Sequence, residues 1–420
     1  MSDAVTATAT GPSEGTPGAA TPETAEAFAA LDSALSTVGP AAMLDLLVRR
    51  LDESQQYRPL LDALLLKARH ELGLPPIQAG ALNDVPEPLR SKYEERYVAA
   101  VRVVGGKFLD SRDVPAAWPY FRAIGEPEPV ALALDSYNPG DDDDTLGAMI
   151  DVAFNQGANP RRGFELILKH YGTCSAVTAF EHLPRDEATR TACADAVVRQ
   201  LHDHLVANLR SEIAQRGQPL PRAGAPIADL LAGNDWLFAD DAYHIDVSHL
   251  GAAVRMTPLL SDPATLALGL GLTDYGRKLS PRHVYEAEPP FENTYEDHGI
   301  YLRALLGREV EAAIAHFRAK LEPADVGDEG EESGGRNTAP AQVLVGLLAR
   351  LNRLDEAIEV AAEQLAGYPD AALFCPSLAA LCQRAGRPGR LAQSARTRGD
   401  LVQYAASALE PRPSPRAVES

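Results

Sequence analysis

Several shortages narrow this 420-residue chain before any motif is considered. Basic residues are scarce: 39 Lys plus Arg stand against 59 Asp plus Glu, a formal net charge of −20. A nucleic-acid backbone or an anionic membrane surface needs a basic face to meet it, so neither is the expected partner. Aromatic residues make up only 6%, so the core must be aliphatic. Only four cysteines occur, Cys174, Cys193, Cys375 and Cys382, with no Cys-x-x-Cys pair. That is too sparse for a disulfide framework and wrongly spaced for most zinc sites. No run approaches the ~20 apolar residues of a membrane span. The first residues carry neither the basic nor the apolar region of a secretory signal. Gly-x-Ser-x-Gly and the Gly-x-x-x-x-Gly-Lys-Ser/Thr phosphate loop are both missing. These shortages lead to the expectation of a cytoplasmic protein without a cofactor.

What is present is helical periodicity. Leu44, Leu47, Val48 and Leu51 recur at three- and four-residue spacing, and Leu61, Leu64, Leu65 and Ala68 follow, with Pro59 near the start of the second helix. Strand alternation and hairpin dipeptides are weak. Residues 1–28 are rich in Ala, Thr, Gly and Pro with acids Asp3, Glu14, Glu23 and Glu26, and are expected to lack order. The same is expected of 410–420, where Pro411, Pro413 and Pro415 stop a helix.

A shift of 34 residues aligns 338–371 with 372–405. It sets Leu344 on Leu378, Val345 on Ala379, Leu348 on Cys382, Asn352 on Gly386, Ala357 on Leu391 and Ala361 on Ala395. A third copy runs through Gly105, Phe108, Ala117, Phe121 and Pro129, with Pro119 as a departure that should kink its second helix or delay its start. A fourth holds Ala313 and Phe317, closing near Pro323.

A helix-turn-helix unit of this period, with small residues where the helices meet, resembles the tetratricopeptide repeat. The resemblance covers about 98–131 and 294–405. It implies an all-α fold in which hairpins stack as an α-solenoid, a TPR-like superhelix. The expected division is a disordered head (1–28), N-terminal helical repeats (29–145), atypical hairpins (146–293) and C-terminal repeats (294–409) with an acidic insert at 325–337.

The most site-like string is Trp236 to Leu250, which holds Asp240, Asp241, Tyr243, His244, Asp246 and His249. His244, Asp246 and His249 offer three ligands of zinc-binding type. Their spacing is poor for one helix, because His244 and His249 stand about 500° apart around it. The competing reading makes Asp246 or Ser248 the N-cap of a following helix. His202 and His204 point apart on a solvated helix face. His170 and Cys174 would share a face on an unbroken helix. Asp141 to Asp144 suit a helix N-terminus better than a calcium loop, and Asp297 reads as a capping residue. The aromatics Tyr275, Tyr285, Phe291, Tyr295 and Tyr301 either pack between repeats or line a concave face where a peptide docks.

The resemblance implies a non-catalytic scaffold or adaptor that binds a peptide or protein on that concave face. The acid excess points to a basic partner. The alternative is a metal-dependent enzyme centred on His244, Asp246 and His249. A third possibility is an assembly factor whose acidic insert blocks a basic site.

Overall fold

The computed structural model describes residues 22–77, 85–140, 143–284, 287–321 and 337–409. Tyr285, the insert at 322–336, the acids Asp141 and Asp142, residues 1–21 and the tail 410–420 lie outside the described residues. Among the described residues every regular element is a helix, so the all-α expectation holds. None of these helices is long and apolar enough to cross a membrane. The chain divides into two compact units, one ending at Arg162 and the other beginning at Gly163.

The first unit runs through α1 (Pro22–Thr37), α2 (Pro40–Glu53), α3 (Tyr57–Glu71), α4 (Leu89–Asp110), α5 (Val114–Ala123), α6 (Glu128–Ser136) and α7 (Leu146–Ile150). A single π-helical turn, Asp151–Asn155, follows. From α1 to α6 each helix packs on the next. α1 begins inside the stretch expected to lack order, because a proline suits a helix start and the alanines that follow favour helix. α2 buries Leu44 as expected, while α3 buries Leu60, Ala63 and Ala68 and leaves Leu61, Leu64 and Leu65 half-covered. α5 runs through Pro119 without stopping. Pro119 removes one backbone donor, but Ala117, Trp118 and Phe121 are buried around it and hold the helix in place.

The second unit holds α8 (Pro160–Phe180), which starts at the boundary, α9 (Glu187–Gln215), α10 (Ile227–Leu231), α11 (Val247–Met256), α12 (Pro263–Gly276), α13 (Thr294–Leu305), α14 (Val310–Arg318), α15 (Ala339–Arg350), α16 (Leu354–Gln364), α17 (Leu378–Ala385), α18 (Pro388–Arg398) and α19 (Leu401–Leu409). Around α9 the packing is not sequential: α9 meets α10, α11 and α12, and α11 also meets α13. From α13 onward each helix again packs on its successor. Met149, Val152 and Ala153 pack into one core with Ala117, Phe121 and Leu134 of the first unit. Likewise α13 joins α11 and α12 to α14 and α15, so there is no break ahead of it.

One kind of turn joins successive helices at Gln55 between α2 and α3, Gly125 between α5 and α6 and Gly399 between α18 and α19, and it recurs in the pairs α4/α5, α13/α14, α15/α16 and α17/α18. After the first helix of each comes a residue of positive φ: Arg112 (63°), Gly307 (74°), Asn352 (59°) and Gly386 (65°). The next N–H reaches back to a carbonyl five residues earlier. Asp113 bonds Phe108 at 2.9 Å, and Arg308, Arg353 and Arg387 bond Arg303, Leu348 and Cys382 at 2.8 Å each. This closure satisfies carbonyls that a helix end leaves unpaired. Asn352 and Gly386 are the turn pair that the 34-residue shift superimposes. The second helices bury their small and apolar positions: Ala117 and Phe121, Ala313 and Phe317, Ala357 and Ala361, Leu391 and Ala395. Ion pairs tie successive second helices together, with Arg353 on Glu311 (2.6 Å), Arg318 on Glu356 (3.2 Å), Arg387 on Asp355 (3.2 Å) and Arg390 on Glu359 (3.1 Å). Exposed pairs of this kind contribute little energy each and mainly fix register.

Candidate functional site

The strongest candidate lies in the second unit, where the His244 loop crosses the wet side of α9. The α9 sequence sorts itself by helical period: Leu205, Leu209 and Ile213 are fully buried, and Asn208, Ser211, Glu212 and Gln215 follow one another along the opposite side. The loop Tyr243 to Asp246 runs over this polar stripe and is pinned at both edges. Asn208 Nδ2 donates to the His244 carbonyl at 2.7 Å. From beneath, the hydroxyl of fully buried Tyr275 accepts from the His244 backbone N–H at 2.8 Å and lies 3.1 Å from His244 Nδ1.

Burial pushes the Tyr275 phenol up to about 12, so it keeps its proton. Burial also lowers the His244 pKa, against the opposing charge of Glu212. Which of Tyr275 and Nδ1 donates across their contact follows from the tautomer of the ring. Phe238 packs edge-on against His244 at 6.1 Å and tilted against Tyr275 at 5.3 Å.

Loop and stripe together enclose an open depression of about 440 Å³. Its charged lining residues are Glu212 and Asp246, with Asn208, Ser211, Gln215, Tyr243 and His244 supplying neutral polar groups. No lysine or arginine of the described residues lines it. Asp246 stays ionised, because the Ser248 hydroxyl and the backbone N–H groups of His249 and Ser248 hold its carboxyl below the usual carboxylate range. Glu212 is paired with Arg216 Nε, one helical turn on, at 3.7 Å, so a cationic group entering the depression would share that carboxylate with Arg216.

The structure does not gather His244, Asp246 and His249 into one site. Asp246 is the N-cap of α11, accepting from Ser248 N at 2.8 Å and His249 N at 3.2 Å, and His244 is held by Tyr275. Among the described residues no three His, Cys, Asp or Glu side chains are placed to hold a metal ion. His202 lies beside Asp203, and His204 is exposed. His170 and Cys174 do not share an unbroken helix, because α8 leaves helical geometry between them at Gly172 (φ 82°, ψ 179°). Asp143 does act at a helix start, accepting from Thr145 N at 2.8 Å just before α7.

The aromatic docking surface needs correction too. Tyr275, Tyr295 and Tyr301 are core residues, and Phe291 is half-buried. Tyr295 lies so close to Gly276 that a Cβ there would collide with its ring. Phe291 stacks on His298 at 3.9 Å and meets Tyr301 and Phe317 edge-on at 6.1 and 5.7 Å. Of the two readings the sequence allowed, packing between helices is the one these four adopt.

The sequence also concealed a buried polar network. The reading of Asp297 as the cap of a helix starting near Tyr301 is corrected: Asp297 lies inside α13, whose N-cap is Asn293, and accepts from Asn293 N at 2.9 Å. It also accepts from His316 Nε2 at 2.7 Å and from Lys320 Nζ at 2.9 Å. Lys320 then holds the Pro290 carbonyl at 2.6 Å and Glu292 at 2.5 Å. Nothing in the spacing of Asp297 and His316, on different helices, signals their meeting. No family model, curated protein or solved structure matches the chain.

Proposed function

We propose that this protein is a non-catalytic interaction scaffold of tetratricopeptide-like architecture that captures a basic peptide segment in the depression between α9 and the His244 loop. The observation that carries this reading is the lining of that depression: two carboxylates, neutral donors and acceptors, and no cation among the described lining residues. A lysine or arginine side chain entering it gains charge-assisted hydrogen bonds. The rest of a −20 chain adds long-range attraction for such a partner. The TPR-like solenoid reading is supported by the small residues buried where the helices of α4/α5, α13/α14 and α15/α16 meet. A reducing, cytoplasmic setting agrees with Cys174, a free thiol on the surface.

The test is fluorescence anisotropy with labelled peptides of equal length, one rich in Lys and Arg, one neutral and one acidic. The basic peptide is expected to bind, with affinity falling as salt rises, and Glu212→Lys is expected to abolish binding without changing thermal stability. Equal binding of all three peptides, or unchanged binding by Glu212→Lys, refutes the reading.

A further inference from the structure

Arg216 shows how a guanidinium is held at the edge of the depression. It is the C-cap of α9, one turn beyond Glu212, and its Nε stands 3.7 Å from Glu212 Oε1. Its guanidinium carbon lies 4.3 Å from the centre of the Trp236 ring. That ring is fixed in turn, because Trp236 Nε1 donates to Asn234 Oδ1 at 3.0 Å. The cation therefore has an aromatic face and a carboxylate as neighbours. At 3.7 Å the contact with Glu212 is too long for a hydrogen bond. Arg216 thus offsets part of the charge of Glu212 without taking up the acceptor sites of the carboxylate.

The depression repeats the same two components. Tyr243 lines it together with Glu212, and Tyr243 is 54% exposed. The ring is steadied by a neighbour: it meets the His283 ring at 5.1 Å, with the two planes 74° apart. His283 Nε2 donates to the Asp241 carbonyl at 2.9 Å, which anchors that imidazole. A tyrosine side chain has only two χ angles to immobilise, so it offers contact area at low entropic cost.

Arginine and lysine gain different things from such a surface. A guanidinium is planar and weakly hydrated, and it can stack on a ring while its N–H groups donate at its edge to a carboxylate. An ammonium is a compact, strongly hydrated point charge. In an open depression the ammonium keeps its water and draws on charge alone, whereas the guanidinium also draws on the Tyr243 ring. Because Arg216 already offsets part of the Glu212 charge, the ring carries more of the discrimination.

We propose that the depression selects arginine over lysine, with the guanidinium stacked on the Tyr243 ring and donating to Glu212, and that Tyr243 is the residue that sets this preference. The proposal rests on the reading of the depression as a site for basic segments and narrows it to one side chain. One ring contact at an exposed site corresponds to a preference of about two- to five-fold.

Fluorescence anisotropy of the full chain tests this with two labelled peptides of equal length and charge, one with arginine and one with lysine as its only basic residue type. The arginine peptide is expected to bind about two- to five-fold more tightly. Tyr243→Leu should bring the two peptides to equal affinity, and Tyr243→Phe should preserve the preference because it keeps the ring. Both variants should unfold at the temperature of the unsubstituted chain, since the side chain is exposed. Glu212→Lys should abolish binding of both peptides. Equal affinities for the unsubstituted chain, or a preference that survives Tyr243→Leu, overturns the proposal and leaves capture of basic segments standing. A preference lost in Tyr243→Phe overturns it as well, because the hydroxyl and not the ring would then be the determinant. If neither peptide binds, the site itself is refuted and this proposal with it.

Discussion

The backbone of Gly105 lies directly against the ring of Phe121: a Cβ added to Gly105 would stand 2.8 Å from Cε2 of that ring. Both residues are buried where α4 meets α5. At Gly106, one residue on, an added Cβ meets nothing within 4 Å. The pair therefore makes an internally controlled experiment. Gly105→Ala should lower stability by about 1–3 kcal/mol through overpacking. Gly106→Ala should raise it by up to about 1 kcal/mol through helix propensity alone. Urea unfolding of the two variants checks the opposite signs, and a loss at both positions would show that the α4/α5 contact is not as described.

Acid should weaken the second unit through His298. Burial, with Arg255 adding in the same direction, depresses its pKa to about 4, against the Thr294 carbonyl it bonds at 2.7 Å and the charge of Asp297. The unfolded chain takes up a proton near pH 6.5, whereas the folded chain does so only near pH 4. Stability from this group is therefore intact above about pH 6.5, falls between about 6.5 and 4, and is flat below, a total of roughly 3 kcal/mol. His298→Phe should unfold with a smaller difference in Tm between pH 7 and pH 5 than the unsubstituted chain. An identical difference would exclude His298 as the source.

Removing the carboxylate at Asp297 should be costly. Asp297→Ala removes the buried acceptor of His316 and one of the three acceptors of the Lys320 ammonium, which keeps Glu292 and the Pro290 carbonyl, and frees the Asn293 N–H. A loss of about 3–5 kcal/mol is expected, the range for breaking one partner out of a buried ion pair. Chemical denaturation measures it directly, and a loss below about 1 kcal/mol, the range of exposed pairs, would mean that the network is solvated.

The two carboxylates of the depression should separate by role. Asp246→Ala removes the cap of α11 and should cost about 1 kcal/mol of stability. Glu212→Gln should leave stability nearly unchanged and weaken capture of a basic peptide several-fold, with a flatter dependence on salt. Thermal unfolding and anisotropy on the same two variants distinguish the effects.

The sequence revealed the hairpins because their signals are local. Gly105, Ala117, Ala357 and Ala361 are small where two helices touch, and contact geometry demands small residues in any setting. Asn352 and Gly386 tolerate positive φ, and Asp246 has the side-chain oxygen that an N-cap needs. The break in α8 at Gly172 and the continuity of α5 through Pro119 were not legible, because each depends on what surrounds the helix. The depression was half legible: the His244 loop stood out by composition, whereas its partner stripe on α9 looked like any solvated face.

By itself the sequence determined that the chain is helical and acidic, since period, charge and turn chemistry are properties of neighbouring residues. Only the tertiary structure decided what those helices turn toward one another. Tyr275 and Tyr295 are core because glycine backbone and a histidine loop from distant elements close over them, and Asp297 is buried because His316 and Lys320 arrive from α14 and the turn after it.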